Sequence, residues 1–365
     1  MAKSYKNFSP EVVGEVKTTQ SVLENLSEKK LIHTPSSTAL HRTAQTLGLS
    51  ADVPNIKERL REVKLASHNK TDISLSANGE NIIVEYKTEK EIVRISLETG
   101  LNQKSNKTAR KFFRLIMTYA NNSPNPYAIT LNSADLVKFT NYSRPSTLNR
   151  AFDSVITPLR KMGIGYSFTN KTTNKVDSVA EAPYFSLLAR KGNLITIKFN
   201  PEIDLNSLFR FWTVYKPSAF QLSDNAFLVY DEIMYLARQN MSKIADYDIN
   251  GTKVRGLRFN INLKIIAETL NLPIYNPTNP KTQIKDPIDK ALSEIEDADK
   301  DFYVSIKGID ENCRIEEYLS NGRLEITLTG DYVNHFEEQQ TKSIEKKKKS
   351  EKKMLLDKPM KKKSN

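Results

Sequence analysis

The chain has 365 residues, 38% hydrophobic and 8% aromatic, with a formal net charge of +12. That length accommodates two or three domains, and the modest apolar share predicts that part of the chain lies outside any core. The sequence has no long apolar run, its opening MAKSYKNFSPEVV has no secretory pattern, and its one cysteine, Cys313, excludes an intramolecular disulfide and a cysteine-based zinc cluster; a cytoplasmic protein without a membrane span is expected.

Residues 1–50 are polar with weak periodicity and read as a partly disordered segment. Residues 51–100 read as a small α+β lead-in. It comprises a short helix over Asn55–Ala66, with Ile56, Leu60 and Val63 on one face, and a hairpin from the alternating stretches Asn81–Thr88 and Glu91–Glu98.

Residues 101–200 open with KTARKFFRLIMTYAN, where Phe112, Leu115, Ile116 and Tyr119 share a helical face. Ala128–Leu131 reads as a short strand, Asn132 or Ser133 as an N-cap, and Ala134–Phe139 as a short helix. After the turn NYSRPS, Leu148, Phe152, Val155, Leu159 and Met162 mark the buried stripe of a longer helix starting near Ser146, which Gly163 ends. Ile164–Phe168 and Leu194–Phe199 read as strands, with Tyr184–Ala189 a third, and the polar NKTTNKVDS reads as a loop. This order of helix, strand, short helix, turn, longer helix and hairpin predicts a winged helix.

Residues 201–221 form an aromatic-rich connector, with Leu205, Leu208, Phe209, Phe211, Trp212, Tyr215 and Phe220. It would serve either as a partner surface or as packing between modules. Residues 222–335 repeat the order. A helix carries Phe227, Tyr230, Ile233, Met234 and Ala237. RFNINLKIIAETLNLP matches AITLNSADLVKFTNYS, pairing Leu131 with Ile261, Leu136 with Ile266 and Phe139 with Thr269 or Leu270. A helix over Gln283–Ala298 buries Ile284, Ile288, Leu292 and Ile295, and Phe302–Ile306 with Leu324–Leu328 forms a hairpin. NLITIKFNPE and RLEITLTGDY close the two units. The predicted fold class is therefore α+β: two tandem winged-helix-like domains, the small lead-in, and a disordered basic C-terminal tail. Residues 336–365 read as a polar helix running into that tail. Residues 346–365 hold ten Lys against Glu351 and Asp357, a net +8, so the rest of the chain carries +4.

A recognition helix buries one stripe and offers the opposite face to DNA, mainly near its N-terminus. In the first module that face carries Arg144, Ser146, Thr147, Asn149, Arg150 and Asp153. Arginine can bond guanine with two parallel hydrogen bonds, asparagine can do so with adenine, and Ser and Thr suit phosphates. Arg160 and Lys161 would hold backbone, and Lys171 and Lys175 would lie on the wing. An ordinary solvated helix face would look similar. The second module offers Lys281, Thr282, Gln283, Lys285 and Lys290, yet Asp286, Asp289, Glu294, Glu296, Asp297 and Asp299 share that helix and repel phosphate. The first module is therefore the expected DNA reader, and the second is open to protein contacts. The lysine tail can release counterions from phosphates but cannot read bases; a purely solubilising tail would have the same composition.

The duplicated layout over residues 107–331, with the stretch LEITLTGDYVNHFEEQQTKSIEKKKK, resembles the initiator proteins of theta-replicating, iteron-type plasmids. The resemblance implies binding to direct repeats in double-stranded DNA at a replication origin, control by a homodimer–monomer equilibrium, local duplex opening and recruitment of host replication proteins. In that family the second module usually makes major contacts to the repeats. Here its helix is acidic, so no individual site is carried over. A transcription or partition regulator built on the same modules, or a scaffold binding protein partners, is the alternative.

An enzyme is not expected. His33, His41, His68 and His335 include no pair spaced one apart, and no GxxxxGK[ST], GxSxG or HExxH motif occurs. Most of the four read as surface residues. No cofactor or metal is implied.

Overall fold

The computed structural model describes residues 15–47, 72–78, 81–87, 91–98, 103–169, 176–209, 211–249, 251–274, 277–310 and 313–342. The helix expected over Asn55–Ala66 and the lysine tail lie outside the described residues. Two compact units emerge. The first comprises residues 1–232 and 266–298, the second residues 233–265 and 299–365. This grouping cuts across the second predicted module instead of falling between the two.

The first unit is built around α3, Gln103–Asn122. The predicted stripe Phe112, Leu115, Ile116 and Tyr119 is buried, but so is the rest of the helix from Thr108 to Ala120, including Arg110, Lys111 and Arg114. A helix buried all round needs cover on every side. Part of that cover is the N-terminal region. α1 (Glu15–Glu28), β1 (Ile32–Pro35) and α2 (Thr38–Leu47) bury Val22, Leu23, Leu26, Ile32, Leu40 and Ala44. The expectation of partial disorder over residues 1–50 is thus corrected for 15–47. These segments have weak periodicity because much of their buried surface is Ala, Ser and Thr rather than a broad apolar stripe.

The predicted lead-in hairpin forms: β2 (Asp72–Asn78), β3 (Asn81–Lys87) and β4 (Glu91–Glu98) run antiparallel. They continue into β6 (Gly163–Thr169) and β7 (Val176–Pro183), giving the five-stranded order β2-β3-β4-β6-β7. Two expectations are corrected here. Val176–Ser178 belongs to a strand, not to a loop, and Ile164–Phe168 does not pair with Leu194–Phe199.

The first winged helix follows α3 in order. β5 (Ala128–Asn132), α4 (Ser133–Phe139) and α5 (Pro145–Lys161) lead, after the β6–β7 excursion, to the wing strands β8 (Phe185–Lys191) and β9 (Leu194–Phe199). The sheet order is β5-β9-β8, all antiparallel. The Asn132 Oδ1 caps α4 by accepting from Ala134 N at 3.0 Å. α5 buries Leu148, Phe152, Val155 and Leu159, and Met162 ends it. Each large apolar side chain so buried stabilises by roughly 1.5–3 kcal/mol.

The connector also belongs to the first unit. β10 (Trp212–Tyr215) pairs with β1, and Leu205, Leu208, Tyr215 and Phe220 are buried. Only part of it is open as the partner-surface expectation required: Phe211 is 46% exposed, and Trp212 stacks on His33 at 4.0 Å.

The second winged helix repeats the order with α6 (Asp224–Gln239), β12 (Thr252–Asn262), α7 (Leu263–Thr269), α8 (Asp286–Ala298), β13 (Phe302–Lys307) and β14 (Arg323–Leu328). A π-helical turn, Lys281–Lys285, precedes α8. The sheet order β12-β14-β13 reproduces β5-β9-β8, extended by β11 (Ile244–Ile249), which pairs with β12. Asn132 lies opposite Leu194 in one copy and Asn262 opposite Arg323 in the other. Asn262 caps α7 through Lys264 N at 2.7 Å, as Asn132 caps α4. Ser133 N donates to Asn193 O at 2.8 Å, and Leu263 N to Gly322 O at 3.0 Å. The duplication therefore extends to single hydrogen bonds. The two copies differ in the wing, where α9 (Ile315–Asn321) is inserted between β13 and β14.

Candidate nucleic-acid interface

The turn between α4 and α5 sets where the second helix points. Lys111, buried on α3, donates from Nζ to Asn141 Oδ1 at 2.8 Å and to Leu222 O at 2.5 Å. Burial pushes this ammonium down to about 8, against the attraction of Asp224 and Glu294. Tyr142 stacks on Phe112 at 6.0 Å, and Phe112 meets Phe152 of α5 edge to face at 5.4 Å. The turn is thus fixed to the core by one cation and an aromatic chain. Pro145 at the first helical position, with Arg144 extended at the cap, starts α5 sharply.

Of the predicted residues, Arg144, Ser146, Thr147 and Arg150 are exposed along the start of α5, and Arg160 and Lys161 are exposed at its end. Arg144 makes no side-chain cap and leaves the helix N-terminus open to an anion. Asn149 differs from expectation: it is half-buried, and its Nδ2 donates to Asn193 Oδ1 at 3.1 Å. It binds the wing turn instead of standing free to read adenine. Lys171 and Lys175 lie outside the described residues. The wing itself is β8–β9, turning at Gly192 with φ +61°. That places Arg190, Lys191 and Asn193 beside α5, residues that sequence reasoning missed. The available signal was Gly192-Asn193 between two alternating stretches, a hairpin-turn pattern. Arg190 bonds Asp153 twice, Nε to Oδ1 at 2.7 Å and Nη2 to Oδ2 at 2.5 Å.

In the second copy Lys281, Thr282 and Lys290 are exposed and Lys285 is half-buried. Gln283 is half-buried, its Oε1 accepting from Asn279 N at 3.2 Å and its Nε2 donating to Thr278 Oγ1 at 3.0 Å. It closes its own turn. Two of the six acids serve the fold. Glu294 accepts from Ser223 Oγ at 2.6 Å at the start of α6, and buried Asp299 accepts from Tyr332 OH at 2.5 Å. Asp286, Asp289, Glu296 and Asp297 remain exposed. Partial burial, followed by the neighbouring Asp286, pushes the Asp289 carboxyl above its ordinary value. Matching the buried stripes, Leu148, Phe152, Val155 and Leu159 correspond to Ile284, Ile288, Ala291 and Ile295. Asp286 then occupies the place of Arg150. The two copies share a fold and oppose each other in charge at the same helix position.

Among the described residues no group of three or more His, Cys, Asp or Glu is arranged to hold a metal ion, and no helix is long and apolar enough to cross a membrane.

No family model matches the chain, and no curated protein matches it significantly. Among solved structures, a crystal structure of selenomethionine derivatives of domains 2 and 3 of RctB is similar, with TM-score 0.42 and 11% identity, covering 81% of this chain and 100% of that one. A second crystal structure of RctB domains 2–3 gives TM-score 0.36 and 10% identity over 73% of this chain and 94% of that one.

Proposed function

We propose that the chain is a sequence-specific binder of double-stranded DNA, with the first winged helix as the reader and α5 in the major groove. The observation that carries this is the exposed row of Arg144, Ser146, Thr147 and Arg150 at the open N-terminus of a helix whose opposite face is wholly buried. The wing beside it adds the exposed Lys191. Within this reading the chain serves as a replication initiator of the plasmid type, acting in the cytoplasm on direct repeats at an origin. Its partners there are host replication proteins and a second copy of the chain. The unequal duplication supports it, since an initiator needs one face for DNA and another for partner proteins, and the two copies oppose each other in charge at the same helix position. No catalytic step is assigned. A second reading applies to the second copy: Asp286 and Asp289, standing where the first copy has Arg150 and Asp153, favour contact with a protein surface over contact with phosphate.

Footprinting on the replicon that carries the gene tests the role. An initiator protects direct repeats beside an AT-rich segment. Protection of a promoter alone would make the chain a transcription regulator, and no salt-sensitive DNA binding would leave a protein-binding scaffold. Within the DNA reading, Arg144→Ala and Arg150→Ala should each cost roughly 1–3 kcal/mol at the specific site and much less on mixed sequence. Equal losses on both would reduce the two arginines to phosphate contacts.

A further inference from the structure

Asp153 lies in an awkward place for a DNA-reading helix. Positions 146, 150, 153 and 157 follow the four-three-four spacing of one helical row, and all four are exposed. The Asp153 carboxylate therefore stands on the same face as Arg150, where a bare negative charge repels phosphate. Arg190 answers it with two parallel bonds at 2.7 and 2.5 Å, and donates from Nη1 to Gly192 O at 2.6 Å. One turn earlier on α5, Asn149 holds Asn193 at 3.1 Å. Ser133 N holds the Asn193 carbonyl at 2.8 Å from α4. The wing tip is thus tied to two successive turns of α5, Asn193 through Asn149 and Gly192 through Arg190 on Asp153, and to α4 through Ser133.

The second copy shows that the fold does not demand this pair. The matched stripes put Asp289 in the place of Asp153. Arg190 lies opposite Ile195 in β8–β9, and the same register position in β13–β14 is Ile306 opposite Leu324. An aliphatic side chain cannot answer a carboxylate. The pair belongs only to the copy that carries the basic reading face.

We propose that Arg190–Asp153 is a specificity latch, in which Arg190 locks the wing turn to the reading helix and is itself withheld from phosphate. Arg190 is on this view a positioning residue, and the proposal rests on the first winged helix being the DNA reader. It separates Arg190 from Lys191, which has no such role and is free to meet backbone.

The test uses the full chain with two probes: a duplex selected from a random pool for tight binding, and a mixed-sequence duplex of equal length. Asp153→Ala releases Arg190, so the salt dependence on the mixed duplex should steepen by about 0.9 in log–log slope. Arg190→Ala should leave that slope unchanged. Each single variant should lower the ratio of selected to mixed affinity at least about fivefold, and the double variant should lower it no further. In the DNA-free chain, amide exchange at Ser133, whose N–H donates to Asn193 O, should accelerate in both single variants. A flattened slope for Arg190→Ala, an unchanged one for Asp153→Ala, or additive losses would overturn the latch. Unchanged exchange would overturn it with no DNA involved. Absence of salt-sensitive binding by the unaltered chain would instead overturn the DNA reading on which the proposal stands.

Discussion

Arg114 is fully buried on α3, and its charge is met from several elements. Its Nε bonds Asp231 Oδ2 at 3.1 Å, Nη1 donates to Pro35 O at 3.0 Å, and Nη2 meets His41 Nδ1 at 3.4 Å. The Tyr215 hydroxyl donates to the other oxygen of Asp231, and His41 Nε2 faces Glu232 at 3.5 Å. Since an arginine only donates, His41 accepts on Nδ1 and carries its proton on Nε2, toward Glu232. Protonating the ring would aim a second N–H at the guanidinium. Burial pushes the His41 imidazole below its ordinary value; Arg114 adds to the depression, while Glu232 and Asp231 oppose it. The folded value lies below the unfolded one of about 6.5, so the stability this ring contributes is complete above about pH 6.5 and is lost as pH falls through the depressed value. Urea midpoints should therefore fall just below pH 6.5 in the unaltered chain, and less so in His41→Gln; parallel curves for the two would refute the assignment. None of this was legible in the sequence, where most of the four histidines read as surface residues and α3 reads as an amphipathic helix with the one stripe Phe112, Leu115, Ile116 and Tyr119. The acid that buries Arg114 lies 117 residues further along the chain.

At the scale of elements, the long helices and their stripes were legible because burial on one face leaves a 3.6-residue period. The stripe of α5 and that of the π turn with α8 are buried as read. Pairing of strands was not legible. Alternation marks a strand but does not name its neighbour, so β6 was assigned to the wing when it joins β4 in the other sheet. Insertions escaped for the same reason: β11 and α9 have no counterpart in the first copy. Two wing glycines at non-equivalent positions separate two roles of glycine: Gly192 follows Lys191 at the end of β8, whereas Gly322 matches Asn193 before the last strand. Gly192 has φ +61° with nothing within 4 Å of an added Cβ, so only its backbone conformation matters. Gly322 has an ordinary φ of −64°, but a Cβ there would strike the Tyr318 carbonyl and approach Leu263 Cδ1 to 2.5 Å. Gly192→Ala should cost about 1–2 kcal/mol from the left-handed conformation alone. Gly322→Ala should cost more, about 1–3 kcal/mol from overpacking plus loss of the bond from Leu263 N. Chemical denaturation of the two variants checks the order, and a Gly192→Ala variant that is the less stable would reverse the roles.

Across the whole molecule, charge is unevenly distributed. The first copy carries exposed cations on α5, the second copy places acids at the matching positions, and residues 346–365 hold a net +8 outside the described residues. The duplication was legible because it rests on element order and spacing, and the inequality of the copies was legible because charge is written directly in the sequence. What the structure added is that Glu294 and Asp299 are spent on Ser223 and Tyr332, so the second helix presents a smaller acidic face than its composition implies. A tail of lysines provides counterion release without base discrimination, since ammonium groups on flexible stems meet any phosphate equally. Removing residues 346–365 should therefore lower affinity for a selected duplex and for a mixed-sequence duplex by the same factor. Each lysine engaged on phosphate adds about 0.9 to the log–log salt slope, so engagement of half of the ten would flatten it by about 4.5 on truncation. An unchanged slope would make the tail a bystander to DNA binding. A loss confined to the selected duplex would instead give it a share in base reading, which its composition argues against.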